Sequence, residues 1–250
     1  MAGDNTIPAV EKAVAILNRL GESADGMTQA ELAAALKITP SSCYRILQTL
    51  LVAGWIRKTE GSRYDLSFGL LGTVRKLTDG AAHFRAMMPV LEELAQTTGL
   101  CCKLSVRQGE FQIPLLRAES PRPMAVSGRI GVQFPVAEGS VGAALLALTP
   151  AAEREKLAQI CARETGVAES PKLLRDGVEA IRRDGYCFNR GRNRWRIDAM
   201  SAPVCNARGR VVAALTLLGY DEDFSEERLP SVARELLDKA EQCGRIYARA

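Results

Sequence analysis

The sequence predicts an α+β protein in two parts. A small helical N-terminal domain closes with a β-hairpin, and a larger domain follows in which two groups of strands enclose a run of helices. Three observations predict this. Apolar residues recur at helical spacing from residue 8 to residue 51. Glu60-Gly61-Ser62 then separates two short strand-like segments as a hairpin turn. After Gly99 the pattern becomes strand-like, and helical segments between residues 138 and 184 stand between the two strand groups, which argues for α+β over a doubly wound sheet.

Taken in order, residues 8–20 predict a helix with Val10, Val14, Leu17 and Leu20 on its packing face. Met27-Thr28 opens a second helix, with Ala30, Leu32, Ala33 and Leu36 at helical spacing. Thr39 occupies an N-cap, and Pro40 the first helical position, where a missing N–H leaves nothing unsatisfied. Ile46, Leu47, Leu50 and Leu51 form the buried stripe of this third helix, and Gly54 ends it. Residues 55–58 and 63–66 make a two-stranded wing. Residues 68–78 are amphipathic and predict a linking helix. A longer helix spans residues 84–98, with Met88, Leu91 and Leu94 on one face and Gly99 as its stop. Strands are expected at residues 101–106, 111–116 and 124–127, then helices at 138–148, 151–161 and 172–184. Strands return at 186–189, 199–204 and 211–218, the last two joined at Asn206-Ala207-Arg208-Gly209. Ser225 is expected to N-cap a final helix reaching Tyr247. The domains are therefore 1–67, a linking helix at 68–82, and 83–250.

The third helix carries the clearest chemistry. Thr39, Ser41, Ser42, Tyr44, Arg45, Gln48 and Thr49 occupy its open face and first turn. Hydroxyl, amide and guanidinium groups there suit the base edges and phosphates of a DNA major groove. Arg57, Lys58 and Arg63 lie on the wing that would flank the phosphate backbone. Between Lys37 and Arg63 stand five Lys/Arg and a single acid, Glu60. The whole chain has a net charge of only +4, so attraction to DNA must come from this local patch.

Other function classes find little support. A chain of 250 residues, 47% hydrophobic and 25% charged, has globular composition, and no apolar run approaches the roughly 20 residues of a membrane span. The N-terminus lacks a basic region followed by an apolar core, so a cytoplasmic location without membrane contact is expected. Seven cysteines without a CxxC pair read as reduced, buried thiols. With one histidine, His83, no catalytic relay and no metal site is expected, and no phosphate-cradling glycine motif suggests a cofactor. The alternative from another class is a small-molecule-binding enzyme or sensor module that carries a helix-turn-helix; no nucleophile–base pair in the sequence favours it.

Six segments and the closing helix, in order along the chain, carry a family resemblance. AVEKAVAILNRL, TQAELAAALKITPSSCYRILQTLLVAGWI and GSRYDLSFGLLGT resemble the DNA-binding half of the isocitrate-lyase-regulator (IclR) family. FPVAEGSVGAALLALT, IRRDGYCFN and AMSAPVCNARGRVVAALTLLG, with the closing amphipathic helix, resemble its effector-binding half. The resemblance implies a winged helix-turn-helix domain, a linking helix and an α/β ligand domain akin to GAF folds. It also implies dimers, often paired into tetramers, that bind operator DNA and answer to a small, usually anionic metabolite. The effector positions it implies are Met124, Ser127, Arg129, Ser140, Val141, Asp198, Ser201 and Ala202. The N–H groups opening the helix at Glu138-Gly139-Ser140 could receive an anion, or the small residues could serve close packing.

Two departures stand out. Ala137 and Ala143 replace a polar and a basic residue usual in the family. The segment Asn189-Arg190-Gly191-Arg192-Asn193-Arg194-Trp195-Arg196, four arginines in seven residues, replaces an acidic pair. It reads as a solvated loop, an anion-binding rim, or a subunit contact.

Overall fold

The computed structural model describes residues 6–80, 82–191 and 196–249; Arg192 and Arg194 of the arginine run lie outside them. The chain forms two compact units, Met1–Gly80 and Ala81–Ala250, so the linking helix groups with the first.

In the first unit, α1 (Pro8–Gly21) packs Ile16 and Leu20 into the core, while Val10 and Val14 stand out at 56% and 50% exposure with Ile7 beside them. The helix carries two apolar stripes, and only the Ile16–Leu20 stripe faces the other helices. Met27–Thr28 is β1 rather than the start of a helix. It pairs with β3 (Arg63–Leu66), Met27 opposite Tyr64 and Thr28 opposite Arg63. With β2 (Ile56–Lys58) this makes a three-stranded sheet in the order β1-β3-β2. The α2 helix (Gln29–Leu36) begins one residue later because Thr28 caps it: its Oγ1 accepts from Glu31 N at 3.2 Å, and the Glu31 carboxylate accepts from Thr28 N at 2.8 Å. Leu32 and Ala33 are buried, whereas Ala30 is exposed.

Lys37 turns the chain out of α2 with φ 52, and Ile38 N donates to Ala33 O at 3.0 Å to close the turn. The α3 helix (Pro40–Val52) starts at the expected cap, where Thr39 Oγ1 accepts from Ser42 N. Its buried stripe is Cys43, Leu47 and Leu50, with Ile46 and Leu51 half-buried. A 3-10 turn (Phe68–Leu70) leads into α4 (Leu71–Gly80). Gly69 is required in that turn, since a Cβ there would stand 2.2 Å from the Gly54 carbonyl oxygen.

In the second unit, the single helix expected over residues 84–98 is two: α5 (Ala82–Arg85) and α6 (Met88–Thr98). Pro89 explains the break, because it has no N–H and its ring clashes with the carbonyl four residues earlier in a continuous helix. Met87, Val90, Leu91 and Leu94 are buried.

The strands expected in two groups join into one antiparallel sheet of order β6-β5-β4-β9-β8-β7. Its members are β4 (Cys101–Gln108), β5 (Phe111–Ala118), β6 (Phe134–Pro135), β7 (Cys187–Asn189), β8 (Asp198–Cys205) and β9 (Val211–Gly219). The groups meet where β4 pairs with β9, Lys103 opposite Thr216. Residues 124–127 form no strand. Pro121 and Pro123 cannot donate to a ladder, and the segment is held instead by Arg117 donating to Gly128 O at 2.7 Å and Gly131 N to Pro114 O at 2.9 Å.

Successive residues of a strand face opposite sides, and each side has its own helices. Cys102, Leu104, Met200, Ala202, Val204, Leu215 and Leu217 pack with α6 and α10 (Leu229–Arg249). The final helix thus starts at Leu229; among the described residues the Ser225 side chain makes no capping hydrogen bond, and its carbonyl accepts from Arg228 N and Leu229 N in a preceding turn. The opposite side meets α7 (Gly139–Leu145), backed by α8 (Ala151–Thr165) and α9 (Ser170–Asp184). Gly142 lets α7 approach, since a Cβ there would lie 2.5 Å from Val136 O and 2.6 Å from Ala137 C. Ala143 is 1% exposed and fits against Gly177, so the site that departs from the family pattern has neither room nor water for a basic side chain. Ala137 is likewise buried.

Candidate DNA-contact surface and ligand cavity

On α3, residues 41, 44, 45 and 48 recur at three- and four-residue spacing, opposite the Cys43–Leu47–Leu50 stripe. Ser41, Tyr44 and Arg45 are exposed, and Gln48 is half-buried. Thr39 and Ser42 serve the helix start itself: Thr39 Oγ1 donates to Ser42 Oγ at 2.9 Å and caps the first turn. Gln29 Nε2 donates to Pro40 O at 3.0 Å, tying the start of α2 to that of α3. This open face is therefore presented on a helix fixed at its N-terminal end.

The three wing cations differ. Lys58 is exposed, and exposed Arg57 pairs with Asp65 on the neighbouring strand at 2.9 Å. Arg63 turns back into its own domain. Its Nε donates to Asp25 O at 3.2 Å, and its Nη2 to Gly26 O at 2.9 Å while pairing with Glu31 at 3.2 Å. The Thr28 N–H, aided by the Thr28 hydroxyl and Arg63, holds the Glu31 carboxyl below its ordinary range.

The second unit contains a cavity of about 320 Å3 between the sheet, α7 and the irregular segment before β6. Of the eight positions implied for an effector, it brings together Ser127, Arg129, Ser140 and Val141. The others lie elsewhere. Met124 is 89% exposed on the irregular segment. Ala202 is fully buried on the opposite side of the sheet, in the core beneath α6 and α10. Asp198 shares that parity on β8. Ser201 is on the cavity side but is consumed in a buried hydroxyl chain: Ser140 Oγ lies 2.9 Å from Ser201 Oγ, which lies 2.9 Å from Thr216 Oγ1. The two-residue period of a strand separates these neighbours.

The residues missed are more telling. Lys103, Gln112, Phe134, Glu138, Asn189 and Leu218 also line the cavity. Lys103 reaches in from the middle of β4, its Nζ 6.0 Å from the centre of the Phe134 ring. Burial pushes its ammonium below the ordinary lysine range, against Cys101 and Glu138, which act the other way. Gln112 is buried, and its amide donates to Pro135 O at 3.0 Å and Glu138 O at 2.8 Å, fixing the chain that enters α7. A lysine inside the apolar strand CCKLS was the available signal.

Arg190, the first arginine of the run, stacks on Phe188 at 5.4 Å, donates to Phe224 O at 3.1 Å and pairs with Asp221 at 3.3 Å. It is thereby engaged with the turn before α10, whereas Asn189 and Ile197, on either side of the run, line the cavity. Asp198 is buried, and its Oδ2 has no hydrogen-bond partner among the described residues. The seven cysteines are unpaired, and burial pushes the Cys187 thiol up to about 11 and that of Cys243 to about 12. Among the described residues, no helix is long and apolar enough to cross a membrane.

The family described as the bacterial transcriptional regulator IclR C-terminal domain matches residues 77–245, and the IclR helix-turn-helix domain matches residues 9–60. The HTH-type transcriptional regulator KipR of Bacillus subtilis is 24% identical over 96% of this chain and 97% of its own length. KdgR of Escherichia coli is 24% identical, covering 90% of this chain and 87% of its own. Among solved structures, IclR of Thermotoga maritima matches with a TM-score of 0.75 at 20% identity, over 94% of this chain and 97% of that one. The matched families and relatives are transcriptional regulators, not enzymes.

Proposed function

The chain belongs to the IclR family of bacterial transcriptional regulators, and from that premise we propose that it is a cytoplasmic, ligand-responsive regulator of a catabolic operon. It binds operator DNA through α3 and the wing, and a small anionic metabolite in the 320 Å3 cavity is its signal. The observation that carries the DNA reading is the stripe of exposed Ser41, Tyr44 and Arg45 with half-buried Gln48, on a helix whose other side is core. Arg45 reads a base edge; Lys58, and Arg57 to the extent that Asp65 releases it, meet phosphates. Thr39 and Ser42 contribute through the capped first turn, and Arg63 through the domain's own integrity. One recognition helix offers few contacts, so the protein acts as a homodimer, or a dimer of dimers, on paired half-sites. The outward stripe Ile7–Val10–Val14 of α1 gives the first unit an apolar surface suited to that pairing.

Titrating the full chain with a duplex selected from a random pool tests this reading. Arg45→Ala should cost about 1–3 kcal/mol of binding and relax preference at one base position. Lys58→Ala should weaken all sequences alike and lower the salt slope by about 1. Unchanged affinity for Arg45→Ala, or only a 27.1 kDa monomer in sedimentation at micromolar concentration, would overturn it.

A further inference from the structure

Among the described residues, four helices end on a residue in the left-handed conformation, and one of the four departs from the others. The α6, α8 and α9 helices stop on Gly99, Gly166 and Gly185, with φ of 70, 73 and 82. Glycine suits this position because it has no Cβ to crowd the following carbonyl oxygen. The α2 helix stops instead on Lys37, with φ 52 and ψ 43. Lys37 N donates to Ala34 O at 3.3 Å and Ile38 N to Ala33 O at 3.0 Å, the pair of bonds that closes a helix on a left-handed residue. Ala33 is buried and Ile38 packs against the core of the first unit, so residue 37 cannot relax without withdrawing Ile38. Ser62 and Arg196 are the other described non-glycine residues with left-handed φ; they lie in the wing turn and beside the arginine run, and neither ends a helix. At a helix stop the strain brings no packing in return, because the Lys37 side chain is exposed.

What lysine adds over glycine is charge. Among the described residues the Lys37 ammonium has no ion-pair or hydrogen-bond partner. The first turn of α3 holds no acidic residue, and Glu31 on α2 is engaged with Thr28 N and Arg63. Lys37 precedes the Thr39 cap by two residues and exposed Ser41 by four, so it adjoins the start of the helix that carries Tyr44 and Arg45. Its backbone is fixed by the turn, and only the flexible four-carbon stem moves. That arrangement delivers a point charge to a phosphate, not a planar fork to a base edge. We infer that Lys37 binds a phosphate of the DNA backbone at the start of α3, and that the first unit keeps a strained turn to hold the ammonium there. The inference rests on the DNA-binding reading above and adds a contact outside α3 and the wing, with a cost in stability attached to it.

Three variants of the full chain separate backbone from charge. Each is melted without DNA, then titrated across a salt series with the selected duplex and with an unrelated duplex of the same length. Lys37→Gly relieves the turn and removes the charge. The Tm of the first unit's transition should rise by a few degrees, while affinity for both duplexes falls by the same factor, about threefold or more at low salt. The slope of log affinity against log salt should become shallower by about 0.9. Lys37→Met keeps a Cβ in the left-handed region, so it should lose the same binding at a Tm close to wild type. Lys37→Arg keeps both strain and charge, and should retain the wild-type salt slope. A variant that melts higher and binds DNA more weakly has not lost its binding through misfolding. Wild-type affinity in both Lys37→Gly and Lys37→Met, beside a loss in Arg45→Ala, would overturn the Lys37 contact and leave the DNA reading intact. A loss in Lys37→Gly alone would assign the effect to the turn and overturn the role of the charge. A loss confined to the selected duplex would overturn the phosphate in favour of a base, and an unchanged or lower Tm in Lys37→Gly would overturn the strain. No salt-dependent duplex binding by the wild-type chain would overturn the DNA reading together with the inference.

Discussion

Arg45 and Leu47 stand two residues apart on α3, one exposed and the other with no accessible surface, and both belong to one helix of 13 residues. In the ligand unit, Lys103, Gln112, Phe134, Glu138, Asn189 and Leu218 meet in one cavity although the first and last are separated by most of that unit's sequence. A surface site on a helix interleaves with its own support at a period of 3.6, so contact and stability fall on different residues. A cavity built across a sheet draws on strand register and helix approach, so a change in packing is also a change in the site. Gly142, which touches the backbone of the segment entering α7, shows the second case.

The sharpest way to break this contrast is the pair Leu47→Ala and Arg45→Ala. Leu47 lies in the core with Ile16, Leu20 and Leu32, and its truncation should cost about 2–5 kcal/mol in urea denaturation of the first unit's transition. Arg45→Ala should stay within about 0.5 kcal/mol of wild type in stability. Comparable losses from both would mean that the recognition face is itself part of the core.

Gly142→Ala sharpens the other side. The added methyl would meet the Val136 carbonyl oxygen at 2.5 Å and force α7 away from it. A cost of about 1–3 kcal/mol is expected, with weaker binding of any cavity ligand because Ser140 and Val141 move with the helix. Wild-type stability with wild-type ligand affinity would show that the cavity tolerates displacement of α7.

These two regions also differ in what could be read beforehand. The α3 cap at Thr39-Pro40, the wing turn and the Gly99 stop are local signals, and they appear where local chemistry places them. Misreadings in the first unit arose where two local options competed. Met27-Thr28 could open a helix or pair as a strand, and the partner that decided it, Tyr64-Arg63, lies far along the chain. On α1 the spacing permitted either of two apolar stripes, and only tertiary packing chose Ile16 and Leu20 over Val10 and Val14. In the ligand unit, the strands after residue 186 were legible as strands, but their parity was not. Ser201 and Ala202 look equivalent in AMSAPV, yet one faces Thr216 and Ser140 and the other faces α10's core. Pro89 and the prolines at 121 and 123 were visible breakers and carried more weight than the apolar pattern around them. Lys103 illustrates the converse: a lone charge inside an apolar strand lines the cavity, which is legible once the strand's inward side is known.

The smallest expected effect concerns Asp198, which belongs to neither site yet adjoins the arginine run. Burial holds its carboxyl above the ordinary aspartate range; the Gly191 N–H and Arg190 lower it, while Asp221 and Asp223 raise it. Between the ordinary and the raised pKa the folded chain binds more protons than the unfolded chain. Folding stability therefore falls as pH rises through that window, and the ionised carboxylate is a burden at neutral pH. Asparagine keeps an oxygen for the Gly191 N–H and removes the charge. Asp198→Asn should thus raise Tm at pH 7, on a scale of about 2–4 °C per kcal/mol for a unit of this size, and the gain should shrink toward acid pH, where Asp198 is itself neutral. Thermal melts of the two proteins across pH 4–8 decide it. A Tm that falls at pH 7, or a gain that does not depend on pH, would mean that the carboxylate's negative charge is held by a favourable partner. Residue 198 would then contribute its charge to the second unit's electrostatics, and the division between packing and site would fail there too.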